Sequence, residues 1–132
     1  QTTIMGTIKT KLSLMSQGSA TTTASGFSVS ISDSLSIETP LVNLASGSVT
    51  NSGATTIISN SVSDTTYLYL KFVSSASAAD VLVVATVAGT QNVMDLTVGE
   101  AVFFPVKGAV GASVISSSSN AISYEYGYWT KT

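Results

Sequence analysis

Apolar and polar residues alternate with a period of two along most of this chain, and no stretch carries the 3.6-residue period of an amphipathic helix. In residues 4–15, Ile8, Thr10, Leu12 and Leu14 share one face, and Thr7, Lys9, Lys11 and Ser13 share the other. That pattern predicts a half-buried strand whose lysines face water and discourage unwanted edge pairing. Ser16 to Gly26 reads as a polar loop or frayed strand end. Phe27, Val29 and Ile31 then alternate with serines, as do Leu35 and Ile37. Asp33-Ser34 has turn chemistry, so this region predicts a hairpin or a strand bulged near Asp33. Pro40 ends it, because proline cannot donate to a ladder. Leu41 to Leu44 is a short apolar run. Gly47, Asn51 and Gly53 mark a turn region, and Thr55 to Ser59 predicts another short strand.

The strongest strand signal is Tyr67-Leu-Tyr-Leu-Lys-Phe-Val73. Leu68, Leu70 and Phe72 fall on one face, and Tyr67, Tyr69 and Lys71 on the other. Val81 to Val87 is also apolar on both faces, which predicts central strands or strands with a partner on the second face. Ala88 to Asn92 reads as a turn, followed by a strand over Val93–Val98. Pro105 interrupts the Ala101–Val106 run and should sit on an edge or bulge. Val110 to Ile115 predicts a further strand. In the last run Ile122, Tyr124, Tyr126 and Tyr128 share a face, opposite Ser123, Glu125, Gly127 and Trp129. The two aromatic runs within Gly99–Trp129 hold most of the aromatic mass, and they read as two joined strands that anchor the core. Together these signals predict an all-β domain over residues 1–132, a β-sandwich or jelly roll of about nine short antiparallel strands. The expected core includes Leu68, Leu70, Phe72, Val84, Val102, Phe104 and Ile122.

Composition narrows the chemistry. The 132 residues fit one domain with a real core. Ser and Thr number 24 and 18, and 28 of those 42 fall in residues 1–66, so the second half supplies the core. Charged residues make up only 9%, so hydroxyls must carry the solubility. The chain has no Cys, no His and no Arg. Those absences remove disulfides and thiolate sites, the commonest general base and metal ligand, and the bidentate phosphate clamp. A net charge of −2 argues against nucleic acid as a partner. The longest apolar run, Val81–Val87, is far shorter than the ~20 residues a helix needs to cross a membrane. No basic segment precedes an apolar one, so no signal peptide is visible in a chain that begins at Gln1.

Few constellations can do chemistry. A Ser or Thr nucleophile needs an adjacent base. Lys71 is the candidate, and a lysine facing solvent or a partner subunit is the simpler reading. The carboxylates Asp33, Glu38, Asp64, Asp80, Asp95, Glu100 and Glu125 mostly lie beside turns, where they cap backbone groups. A glycosidase pair among them is disfavoured, and no Asp-x-Asp cluster suggests calcium, which leaves distant loops around Asp64, Asp80 or Asp95 as the weaker place for such a site. The expectation is therefore no catalytic residues, no metal and no cofactor. Tyr67, Tyr69, Tyr124, Tyr126, Tyr128 and Trp129 could form a sugar-stacking platform, but core and subunit-interface packing suits them better. With Lys71 they form the expected interface set.

The order Thr66-Tyr-Leu-Tyr-Leu-Lys71, Leu96-Thr-Val-Gly-Glu-Ala-Val-Phe-Phe-Pro-Val-Lys107 and Tyr124-Glu-Tyr-Gly-Tyr-Trp129 resembles small structural proteins of tailed-bacteriophage virions. These occur as head decoration or cement proteins and as tail accessory proteins. The resemblance covers residues 65–131, about half the chain. It implies a β-sandwich without enzymatic activity, placed on the surface of a phage particle and assembled on the major capsid protein or other virion proteins. Strands apolar on both faces add the expectation of a homo-oligomer, a trimer among the states allowed, with neither nucleic acid nor membrane as partner. The alternative is a carbohydrate- or receptor-binding β module associated with a tail or fibre.

Overall fold

Every regular element among the described residues is a β-strand. The computed structural model describes residues 5–15, 28–38, 42–87 and 91–132. Ten strands follow in chain order: β1 (Met5–Met15), β2 (Ser28–Glu38), β3 (Val42–Val49), β4 (Thr55–Ile58), β5 (Thr66–Ser74), β6 (Leu82–Ala85), β7 (Asn92–Leu96), β8 (Ala101–Val106), β9 (Ala112–Ser116) and β10 (Ile122–Thr130). The predicted loop at 16–26, the stop at Pro40 and the turn at Ala88–Thr90 lie outside the described residues.

Strands β3 to β10 build two four-stranded antiparallel sheets, in the orders β3-β10-β5-β8 and β4-β9-β6-β7. Within these two sheets β6 and β7 are the one pair of consecutive strands joined by a ladder, and every other connection from β3 to β10 passes from one sheet to the opposite one. That strand order is a jelly roll, and the fold is an all-β sandwich. Its core lies between the sheets. Leu68, Leu70 and Phe72 of β5 and Ile122 of β10 are fully buried there against Leu82 and Val84 of β6 and Val114 of β9. Leu96, Val106, Val49 and Ile58 close its margins.

Two expected core residues, Val102 and Phe104, are only half-buried. They belong to β8, the edge of its sheet, where one flank lacks a neighbouring strand. The same edge accommodates Pro105, opposite Tyr67. The turn Thr97–Glu100 precedes β8. Glu100 N–H donates to the Thr97 carbonyl at 3.0 Å, and Gly99 takes φ +89° in the position where a type II turn requires a left-handed residue.

Further sequence expectations differ from the structure. Gly47 marks no turn: β3 runs through it, paired with Tyr124, and the chain turns at Asn51–Ser52. Asp33 makes no turn: β2 runs straight through it, with Asp33 opposite Thr10, because the eleven residues of β1 partner it throughout. The two aromatic runs, β8 and β10, do not pair with each other. Each flanks β5, and the intervening β9 lies in the other sheet. Finally, β1 and β2 join neither sheet. They form a separate antiparallel ribbon, so the two sheets occupy residues 42–130 and not the whole of 1–132. The ribbon is rooted on the sandwich by a β-bridge between Ile37 and Lys131 and by Thr132 N–H donating to the Ser36 carbonyl at 3.3 Å.

Candidate binding surface

Alternation along β5 sends Leu68, Leu70 and Phe72 into the core, so Tyr67, Tyr69 and Lys71 must emerge on the outer face of the sheet. Register then assembles their neighbours. Trp129 pairs with Tyr67, Gly127 with Tyr69 and Glu125 with Lys71 on the β10 side. On the β8 side Pro105, Phe103 and Ala101 pair with the same three residues. The rings of Tyr67 and Phe103 stack with centroids 5.7 Å apart and planes 18° from parallel. The Tyr69 hydroxyl donates to Glu125 Oε1 at 2.9 Å. Partial burial and the neighbouring Glu125 carboxylate both push the Tyr69 phenol above its ordinary range, burial contributing more. Leu44 of β3 adds an exposed apolar side chain to this face.

The ribbon stands over this surface. Its Ile8, Leu12 and Ile31, together with Lys9, Thr10 and Lys11, line a cleft of about 640 Å³ whose opposite wall includes Leu44, Tyr69, Phe103 and Trp129. The walls are mostly apolar, which suits an apolar protein segment better than a sugar, since a sugar needs many convergent hydrogen-bonding groups.

The structure therefore divides the seven expected interface residues. Tyr67, Tyr69, Lys71 and Trp129 belong to the outer face, where Tyr67 is buried beneath its neighbours and the other three are half-buried. Tyr124, Tyr126 and Tyr128 point the other way, correcting their assignment to an interface. Tyr124 is buried in the core, and Tyr126 and Tyr128 pack against it half-buried. The Tyr124 and Tyr126 rings lie 5.7 Å apart. Burial raises the Tyr124 phenol, the proximity of Tyr126 adds to the rise, and a hydrogen bond with Thr55 opposes it. Gly47 leaves the room this ring takes: a Cβ there would lie 2.5 Å from the Tyr124 hydroxyl oxygen. The sequence placed all three tyrosines on one face with Ile122, an expected core residue, and the structure shows that this shared face is the inner one.

Asp80 is a structural residue that sequence reasoning passed over as one turn carboxylate among seven. It is 4% exposed and accepts hydrogen bonds from the hydroxyls of Ser75 and Ser118 and from Asn120 Nδ2, the last two at 2.8 and 3.1 Å. It thereby ties the β5–β6 loop to the β9–β10 turn. The Ser75 bond foremost, then that of Ser118, holds its carboxyl below the usual range. The only signal available in the sequence was a serine-rich turn distant along the chain. Glu100 does a similar local job. It accepts from Thr97 N–H at 2.7 Å and Thr97 Oγ1 at 2.8 Å, and these bonds lower its carboxyl. Among the described residues, no group of three or more carboxylates is placed to hold a metal ion.

No family model matches the chain, and no curated protein matches it. Among solved structures it is similar to the Yersinia pseudotuberculosis-derived mitogen, at 16% sequence identity and a TM-score of 0.40. The match covers 70% of this chain and 87% of that one. A likeness of that size carries no argument about function.

Proposed function

We propose that the chain is a non-enzymatic structural protein of a phage particle, which decorates the capsid surface and strengthens it through subunit contacts. The observation that carries this reading is the pair of open apolar faces, one on the outer sheet and one on the ribbon. Exposed apolar faces of this kind suit protein contact, which supports the reading. The virion-like motifs of residues 65–131 support the same reading, as do a charge content of 9% and a hydroxyl-rich surface. The partners on this reading are the major capsid protein or other virion proteins and further copies of the chain, a trimer among the possible assemblies. Mixing the protein with undecorated capsids tests it. Co-sedimentation that is lost in a Trp129→Ala variant with intact folding is the expected result. Capsids that sediment without it, together with specific binding to a glycan array, would replace it with the receptor-binding reading.

A further inference from the structure

The ribbon of β1 and β2 is amphipathic, with one polar rung, Thr10–Asp33, interrupting its apolar face. Its register pairs Ile8 with Leu35, Leu12 with Ile31 and Leu14 with Val29, so the apolar residues of both strands stack on one face. Lys9, Lys11 and Ser13 lie on the other, opposite Ser34, Ser32 and Ser30. Cover is uneven along that apolar face. At the root Ile37 is 3% exposed and Ile8 and Leu35 are half-buried, whereas Leu12 and Ile31 further out are 49% and 53% exposed. The last rung, Leu14 and Val29, lies beyond the residues that line the cleft. A two-stranded ribbon in water is marginally stable unless its apolar face is covered. Its own sheet does not cover it, and that sheet also leaves Leu44 and Phe103 exposed.

We propose that the β1–β2 ribbon is an exchange arm, whose apolar face packs on the outer β3-β10-β5-β8 face of a second copy of this chain. Each copy carries both halves of the contact, one apolar ribbon to give and one apolar sheet face to receive. The arm belongs to neither sheet and is held at its root, so moving it breaks no ladder of the sandwich. Exchange of such an element between identical chains is a low-cost route to association. From the Ile8–Leu35 rung to the Leu14–Val29 rung the ribbon is about 20 Å long and about 10 Å wide. Two reciprocal contacts, counted on both partners, then bury about 800 Å² in total, the size of a weak, concentration-dependent association.

The inference rests on the homo-oligomeric part of the function proposed above, and the test separates the two. Because the chain has no cysteine, single introduced thiols report unambiguously. Leu12→Cys protein is mixed with Leu44→Cys protein under mild oxidation, and a Leu12→Cys/Leu44→Cys double variant is oxidised alone. Light scattering measures the mass of the wild type and of Leu12→Asp across micromolar concentrations. The inference expects a wild-type oligomer, a mixed disulfide-linked dimer of twice 13.5 kDa, and a monomeric Leu12→Asp variant that keeps its β-sheet circular dichroism. An intramolecular link in the double variant with no mixed dimer would mean that the ribbon closes on its own sheet, and would overturn the inference. An oligomer that survives Leu12→Asp would overturn the arm and leave self-association standing. A strictly monomeric wild type would defeat both.

Discussion

Single side chains in this protein act mainly by holding loops to one another. Asp80 shows it best, since one carboxylate receives three side-chain donors from two loops far apart in sequence. Those bonds favour the ionised form, so the folded-state value lies below the ordinary 3.8. A lowered carboxyl contributes stability that is present above its unfolded value and lost as pH falls through the folded one. The Asp80→Asn variant should therefore melt measurably lower than the wild type at neutral pH, and the difference should shrink as pH drops below 3.8. Thermal melts of both proteins across that range check it; a difference that stays constant into acid would contradict the role. Gly108 limits another loop by space alone, because a Cβ there would collide with the Ser63 carbonyl oxygen. The following residue, Ala109, takes the left-handed conformation (φ 66°) while its N–H donates to the Val62 carbonyl at 2.7 Å.

At the level of elements, position within a sheet decides what each strand contributes. β5 lies between β10 and β8, and its inner face is fully buried. β8 has the same aromatic character but lies at the edge, so Phe104 packs against the core from a half-buried site. Phe72→Ala should cost about 3–5 kcal/mol, the range for deleting a fully buried aromatic ring. Phe104→Ala should cost clearly less, since part of its ring already meets water. Urea unfolding of the two variants gives the comparison, and equal losses would show that the edge strand is as well enclosed as the central one.

The whole molecule is a fold of distant partners. With nearly every connection crossing between the sheets, β10 pairs with β3 and β5, and β9 with β4 and β6. Few of these contacts can form before a long loop has closed, and closing loops costs entropy that local contacts do not. Refolding from urea, followed by tyrosine and tryptophan fluorescence, should be slow for a chain of this size, roughly milliseconds to seconds. Completion within microseconds would contradict this account.

The period-two alternation was enough to determine that the chain is all-β, that β5 buries Leu68, Leu70 and Phe72, and that Pro105 belongs to an edge. These follow from local geometry, because side chains alternate on any strand whatever its neighbours. The same alternation grouped Tyr124, Tyr126 and Tyr128 on one face with Ile122, so reading Ile122 as core and the tyrosines as interface set one face two opposite tasks. Only the second sheet, packed against them, decided between the two. Alternation also made β1 and β2 look like ordinary sandwich strands, because a strand with one apolar face reads the same whether that face meets a core or overhangs a cleft. The partners of Asp80 were hidden for a related reason: its donors come from Ser75, Ser118 and Asn120, and only the crossing of the chain between sheets brings those loops together.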